Sequence, residues 1–132
     1  MTTTAVALLD SIRAHLTECE LPDLYSVNVT RSFSGPSVSA QLACHTSPQI
    51  TGALLAWADT LTGVTAEAWR VPSGDCVHLS VIGRLPSGVS VRVYGGMAFT
   101  KHGVGADLAP DASKAVPLAV LRERATVEEV TV

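Results

Sequence analysis

The sequence predicts an α+β fold, a two-layer sandwich in which one mainly antiparallel sheet of about five strands carries helices on one face. Three observations support this prediction. The strand candidates alternate apolar and polar residues, as expected for a sheet that is covered on one side only. Amphipathic helices are interspersed with paired strands in the order α-β-β-α-β-β-β-α. The chain has 132 residues, 47% of them hydrophobic and 16% charged, enough to bury a core. We therefore expect one domain over residues 1–126 and a C-terminal tail over 127–132.

The first helix is predicted over residues 4–18, with Thr3 or Thr4 as its N-cap. Its predicted buried stripe consists of Leu8, Leu9, Ile12 and Leu16.

Residues 23–45, "DLYSVNVTRSFSGPSVSAQLACH", then read as a hairpin. If Phe33 pairs with Val38, Val29 faces Leu42 and Val27 faces Cys44. The polar face would then carry Ser26, Asn28, Thr30, Ser32, Ser39 and Gln41.

The second helix is predicted within residues 46–63, where Pro48 suits the first turn and Gly63 suits the end. Its expected buried stripe is Ile50, Leu54, Trp57 and Leu61. A shorter strand, "VTAEAWRV", follows at residues 64–71.

Residues 76–97, "CVHLSVIGRLPSGVSVRVYGGM", show the cleanest alternation in the chain and predict a hairpin that turns at Pro86-Ser87-Gly88. Pairing Leu85 with Val89 sets the remaining pairs. They are Gly83–Val91, Val81–Val93, Leu79–Gly95 and Val77–Met97 on the apolar face, and Arg84–Ser90, Ile82–Arg92, Ser80–Tyr94 and His78–Gly96 on the other. Glycines on the apolar face indicate a close approach by a helix or another backbone.

The remaining chain reads as a Gly- and Ala-rich loop after Met97 and a short helix over residues 117–125. Residues 48–125 thus follow the order α-β-β-β-α, which resembles that of a double-stranded-RNA-binding domain. Such domains place a lysine cluster at the start of the last helix, where this chain has only Lys114. The chain is also acidic overall, so the resemblance does not extend to RNA binding.

The polar sheet face supplies the main binding candidates, which are Trp69, His78, Ser80, Arg92 and Tyr94. A four-residue turn at 72–75 would pair Val71 with Cys76 and place Trp69 beside His78 on this face. A three-residue turn would instead send Trp69 into the core. Core burial is the commoner fate of a tryptophan on a short strand, and we favour it.

Two further groups of residues are candidates for chemistry. Cys44, His45, Cys76 and His78 are ligand types that zinc prefers, but their spacing matches no known finger, ribbon or knuckle. Lys101, His102 and Asp107 lie in the glycine-rich loop, without the spacing of a phosphate-binding motif. We therefore predict no metal, no cofactor and no assigned catalytic residue, and keep a small Cys/His enzyme as an alternative.

Charge and cysteine content limit the functional classes. A net charge of −3 argues against nonspecific electrostatic binding to nucleic acid. Three cysteines cannot close a disulfide framework, and no N-terminal signal peptide is evident, so we expect a cytoplasmic protein. The composition, with two lysines beside seven arginines, is typical of high-GC actinobacteria and their phages and plasmids.

These constraints favour a non-enzymatic binding or adaptor module with a possible protein partner. A nucleic-acid-associated regulator that uses the polar sheet face is the alternative. Because charge is scarce and lysine is absent from the strands, we also expect a homodimer formed through the sheet, either edge to edge or face to face.

Overall fold

The computed structural model describes residues 4–32, 35–44 and 46–130 and confirms the α+β class. Its order is α-β-β-α-β-β-β-β-α. The helices are α1 (Ala5–Glu18), α2 (Ser47–Ala58) and α3 (Leu118–Val130). The strands are β1 (Leu24–Ser32), β2 (Gly35–Leu42), β3 (Thr62–Arg70), β4 (Cys76–Arg84), β5 (Ser90–Ala98) and β6 (Ser113–Val116).

The six strands form one open sheet in the order β1-β2-β5-β4-β3-β6. All neighbours are antiparallel except β2 and β5, which pair in parallel; α2, β3 and β4 form the long connection that a parallel pair requires. The nine-residue strand β1 and the four-residue strand β6 are the two edges. The core lies between the helices and one face of the sheet.

The β4–β5 hairpin has the predicted register at every pair from Val77–Met97 to Arg84–Ser90. The expected close approaches at the two glycines on its apolar face are also present. A Cβ added to Gly95 would lie 3.0 Å from side-chain atoms of Ile50 in α2. One added to Gly83 would lie 2.9 Å from the Cβ of Leu61.

The predicted register of the first hairpin is wrong. Val29 faces Val38 rather than Leu42, and Val27 faces Ala40 rather than Cys44. The pairing extends to Ser32–Gly35, so the connection is shorter than expected; the proposed Phe33–Val38 pair involves a residue outside the described ranges. The shift is by an even number of residues, and each side chain therefore keeps its predicted face.

The buried side of α1 also differs from the prediction. Thr4 caps the helix, and Leu8 and Ile12 are buried as expected, but the third buried position is His15. Leu9 and Leu16 are 50% and 37% exposed. The buried stripe is therefore narrower and rotated toward His15, because α1 contacts the sheet near its edge.

The α2 stripe is confirmed, since Ile50, Leu54, Trp57 and Leu61 are all buried. The helix nevertheless ends at Ala58, before the expected glycine. Gly63 instead has φ 63° within β3, where the register with β4 shifts between Thr62 and Thr65. Its left-handed backbone accommodates a bulge rather than a helix end.

Strand β6 was not predicted, since the segment after Met97 read as a loop as far as the last helix. It pairs with β3 through Trp69–Ser113 and Ala66–Val116, and α3 follows it as far as Val130. Among the described residues, no helix is long and apolar enough to cross a membrane.

Candidate binding site on the open sheet face

Trp69 lies on the open face of the sheet, so the expectation of core burial is wrong. The connection between β3 and β4 has four residues, with Val71 N donating to Cys76 O at 3.0 Å. Gly74 adopts φ 82°, which a four-residue turn can exploit at little steric cost. This turn pairs Trp69 with His78, and both side chains are half-buried on the face opposite the helices.

Four side chains form a continuous row that crosses β5, β4 and β3, and we call this row the aromatic ladder. It consists of Arg92, Tyr94, His78 and Trp69. The Arg92 guanidinium carbon lies 5.7 Å from the Tyr94 ring centroid, and the Tyr94 and His78 rings stack at 5.6 Å with an interplanar angle of 17°. The His78 and Trp69 rings meet edge to face at 5.3 Å. These are attractive geometries for π systems and for a cation beside one.

Small residues on the same face make room for the ladder. Ser80 is only 1% exposed and pairs with both Tyr94 and Glu67 on the neighbouring strands. Gly96 pairs with His78, and an added Cβ there would lie 3.4 Å from the imidazole ring. The ladder thereby borders a shallow cleft of about 490 Å³, lined by Ser39, Glu67, Trp69, His78, Arg92, Tyr94 and Ser113.

The polar ends of the two large rings are held by other side chains of the protein. Trp69 Nε1 donates to Asp111 Oδ1 at 3.1 Å, and Tyr94 OH donates to Gln41 Oε1 at 3.4 Å. Asp111 adopts φ 67°, a left-handed conformation that is uncommon outside glycine. With these donors engaged, the surface that Trp69 and Tyr94 offer a ligand is chiefly their ring carbon.

Arg70 fixes the loop that carries Asp111. Its Nε donates to Gly74 O and its Nη1 to Leu108 O, both at 2.9 Å, while its guanidinium lies 3.6 Å from the Phe99 ring centroid. Asp111 N in turn donates to Arg70 O at 2.8 Å. The position of the Trp69 ring therefore depends on contacts with the segment that follows β5.

The charged groups of this surface are few. Arg92 is exposed and makes no ion pair with any described residue, and Glu67 is half-buried across the cleft. Burial, followed by the positive charge of Arg92, lowers the pKa of His78 from its ordinary value. The imidazole is thus neutral at neutral pH, and Arg92 is the fixed cation of the site.

The structure does not bring the proposed Cys/His group together. Cys44 packs against the core, whereas Cys76 shares the open-face alternation of His78, and His45 lies outside the described residues. Among residues 4–32, 35–44 and 46–130, no cluster of three or more Cys, His, Asp or Glu side chains could hold a metal.

The loop candidates lie away from the ladder. His102 and Asp107 line a separate cleft of about 390 Å³ beside β6 and α3. Lys101 is exposed and does not line this cleft. Asp107 forms an ion pair with Lys114, whose hydrogen bond lowers the pKa of the carboxyl group. The His102 carbonyl accepts from Arg124 Nη1 at 2.8 Å. These groups are engaged in joining the loop to β6 and α3.

Sequence reasoning missed the supporting residues of the site. Asp111 was not among the predicted binding residues, although Pro-Asp is a turn signal and aspartate tolerates left-handed backbone better than most residues. Glu67 lies on the same face of β3 as Trp69 and pairs with Ser80, whereas Ser113 joins the site only because β6 pairs with β3.

Comparisons with models of known protein families, with curated proteins and with solved structures give no match to this chain.

Proposed function

We propose that this protein is a non-enzymatic binding module, an adaptor whose binding surface is the aromatic ladder. The observation that supports the proposal is the row of stacked rings on a sheet face that no described element covers. Aromatic side chains on an uncovered surface carry a solvation cost that a bound partner removes. Trp, Tyr and Arg are also the residues that most often dominate binding energy at interfaces.

The chemistry of the ladder favours a protein segment that presents an aromatic side chain next to a carboxylate. Ring carbon is available at Trp69 and Tyr94, because their polar atoms already have partners. The guanidinium of Arg92, which forms no ion pair with a described residue, adds a planar donor group that suits a carboxylate. In such a partner the aromatic side chain would contact the ring carbons of Trp69 and Tyr94, and the carboxylate would pair with the guanidinium of Arg92.

A peptide titration followed by NMR tests this proposal. The probes are acetyl-Asp-Trp-Asp-amide and its neutral counterpart acetyl-Asn-Trp-Asn-amide, added to uniformly labelled protein. We expect chemical-shift changes centred on residues 67–69, 78–80 and 92–94. The acidic peptide should bind more tightly than the neutral one. Trp69→Ala should weaken binding about tenfold or more, which corresponds to about 1.4 kcal/mol.

Arg92→Ala should abolish the preference for the acidic peptide, and Arg84→Ala is its matched control. Arg84 is an exposed arginine on the same hairpin, but its Nη1 already donates to Gly88 O at 3.0 Å. Equal loss in the two variants would show that net charge, rather than the ladder, attracts the peptide. Chemical-shift changes confined to residues outside the ladder, or no chemical-shift changes at all, would overturn the proposed binding surface.

Single-stranded nucleic acid is the second candidate, because bases stack on exposed aromatic rings and Arg92 could contact a phosphate. The acidic net charge and the single arginine of the ladder make this candidate weaker. An oligothymidylate should then bind with an affinity that falls steeply as salt rises. Arg92→Ala should lower both the affinity and the salt slope, the slope by about 1. Absence of binding even at low salt would eliminate this function.

A further inference from the structure

The exposed large apolar side chains of the described chain all lie at one end of the molecule. They are Val6, Leu9 and Leu16 on α1 and Tyr25 on β1, with exposures of 66%, 50%, 37% and 75%. Isolated exposed apolar residues need no explanation, but a group confined to one helix and the adjacent edge strand indicates an association surface.

The orientation of α1 places this apolar stripe on the flank nearer the β1 edge. The opposite flank, which carries Ser11 and Glu18, lines a cleft with the β4–β5 turn at residues 85–87. At 100° per residue, Leu9 and Leu16 lie about half a turn from those two positions. Since β1 and β2 lie on the far side of β5 from β4, the Leu9–Leu16 flank faces outward over β1.

Strand β1 is also the more open of the two edges of the sheet. It has nine residues against four in β6, and it contains neither lysine nor proline. Val27 and Val29 remain half-buried although they face the core. The charged residue of β1, Arg31, and its register shift, between Leu24 and Ser26, lie at the two ends of the strand, so the stretch between them offers unpaired backbone groups to another strand.

We propose that a second copy of this chain occupies this surface, with β1 pairing antiparallel to β1 of the partner and α1 packing against α1 across the junction. A two-fold axis perpendicular to the sheet pairs the two edges and leaves both sets of helices on the same face. The strand spans about 30 Å and the helix about 21 Å, so both contacts fit along one junction.

A second copy explains the surface better than a bound peptide does. An extended peptide would pair with the backbone of β1 but would leave Leu9 and Leu16 exposed on α1. A copy of the chain supplies a strand and an apolar helix flank in the required arrangement, because the interface is self-complementary.

This inference does not rest on the proposed binding function. The aromatic ladder lies on strands β3, β4 and β5, away from β1, so edge pairing leaves it uncovered in both copies. The dimer would have a continuous twelve-stranded sheet with two ladders on one face. Failure of peptide binding would leave the dimer proposal intact, and the converse also holds.

Native mass spectrometry and light scattering at tens of micromolar test the proposal. We expect a dimer whose Kd rises at least about tenfold in Leu9→Glu, because the new carboxylate would be buried in the junction. Ala7→Glu is the matched control. It adds the same charge at an exposed position on the other flank, three residues after the Thr4 cap, where glutamate is favourable. Leu16→Glu is the second variant if Leu9→Glu proves unfolded by circular dichroism.

Tyr94→Asp distinguishes edge pairing from a face-to-face dimer. The edge dimer should survive this change, whereas a dimer formed through the ladder face should dissociate. A monomeric wild-type protein, or a monomeric Tyr94→Asp variant beside a dimeric wild type, would overturn the proposal.

Disulfide trapping locates the junction. Single cysteines are introduced at each position from 25 to 31 in a variant whose three native cysteines are replaced by serine. Mild oxidation should cross-link the copies most strongly at the residue nearest the two-fold axis, where the same residue of both copies comes close. Absence of cross-linking at all seven positions would overturn edge pairing even for a dimeric protein.

Discussion

A His–Trp pair lies on each side of the sheet, one on the helices that cover it and one on the open face, and the two pairs differ in burial, ring geometry and hydrogen bonding. On the helix-covered side His15 and Trp57 lie 5.7 Å apart with their rings tilted by 37°. On the open side His78 and Trp69 lie 5.3 Å apart at 89°. Trp57 is fully buried, whereas Trp69 is half-buried beside the cleft.

The polar atoms show how the two environments differ. Trp57 Nε1 is buried without a hydrogen-bond partner in the described chain, so the core tolerates an unpaired donor in order to bury the ring. Trp69 Nε1 instead has a carboxylate partner, Asp111, on a loop fixed by Arg70. The covered pair therefore serves the packing of the core, whereas the open pair is held in position with its ring surface still available.

Replacing each tryptophan by alanine should give the largest separation between the two faces. Trp57→Ala should cost about 3–5 kcal/mol of unfolding free energy, because it leaves a cavity under α2. Trp69→Ala should cost only about 1 kcal/mol, since it removes ring contacts at a half-exposed site. Urea unfolding curves measure both values. Equal losses would contradict the division between a packing pair and a binding pair.

The sequence predicts two parts of the covered face well, the β4–β5 register and the α2 stripe, because local alternation, turn chemistry and helical spacing specify them. Pro86-Ser87-Gly88 and the flanking apolar residues lead directly to the observed β4–β5 register. The stripe from Ile50 to Leu61 is likewise recovered from helical spacing alone. Both features depend on residues close together in the chain.

The sequence predicts the open face less well because its details depend on distant contacts and on one turn. A difference of one residue at 72–75 decides whether Trp69 enters the core or the ladder, and propensity favoured the wrong alternative. Strand β6 exists through its pairing with β3, which local alternation over four residues cannot reveal. Asp111 reaches Trp69 only through that pairing and the contacts of Arg70.

Two adjacent glycines, Gly95 on the covered face and Gly96 on the open face, provide a matched test in which the expected change in unfolding free energy is smaller. Gly95→Ala should cost about 1–3 kcal/mol, because its Cβ would lie 3.0 Å from Ile50 on the covered face. Gly96→Ala should change stability by about 0.5 kcal/mol or less, since its Cβ would only touch the His78 ring at 3.4 Å. Thermal or urea unfolding gives both values.

A double-mutant cycle identifies the cause of the larger loss. Gly95→Ala should be less costly in an Ile50→Ala background, because the crowded side-chain atoms are then absent. Strict additivity of the two changes would show that the close approach of α2 is not the source.

The two histidines provide the smallest expected effect and depend on their different charged neighbours. Burial lowers the pKa of both His15 and His78 below the ordinary value of about 6.5. Above that value both groups are neutral in the folded and unfolded chains. As the pH falls below it, the unfolded chain binds protons first, so stability should decline until the lowered folded pKa values are reached.

NMR titration of the histidine ring protons should separate the two sites by their neighbours. Glu18 raises the pKa of His15 and partly opposes burial, whereas Arg92 lowers the pKa of His78 and reinforces it. Glu18→Gln should therefore lower the pKa of His15 further and leave His78 unchanged. Arg92→Ala should raise the pKa of His78 and leave His15 unchanged, because the two sites lie on opposite faces of the sheet. If Arg92→Ala leaves the pKa of His78 unchanged, the guanidinium does not act on the imidazole in solution. Arg92 would then not belong to the aromatic ladder. If both variants move both histidines, a general change in the fold accounts for the shifts.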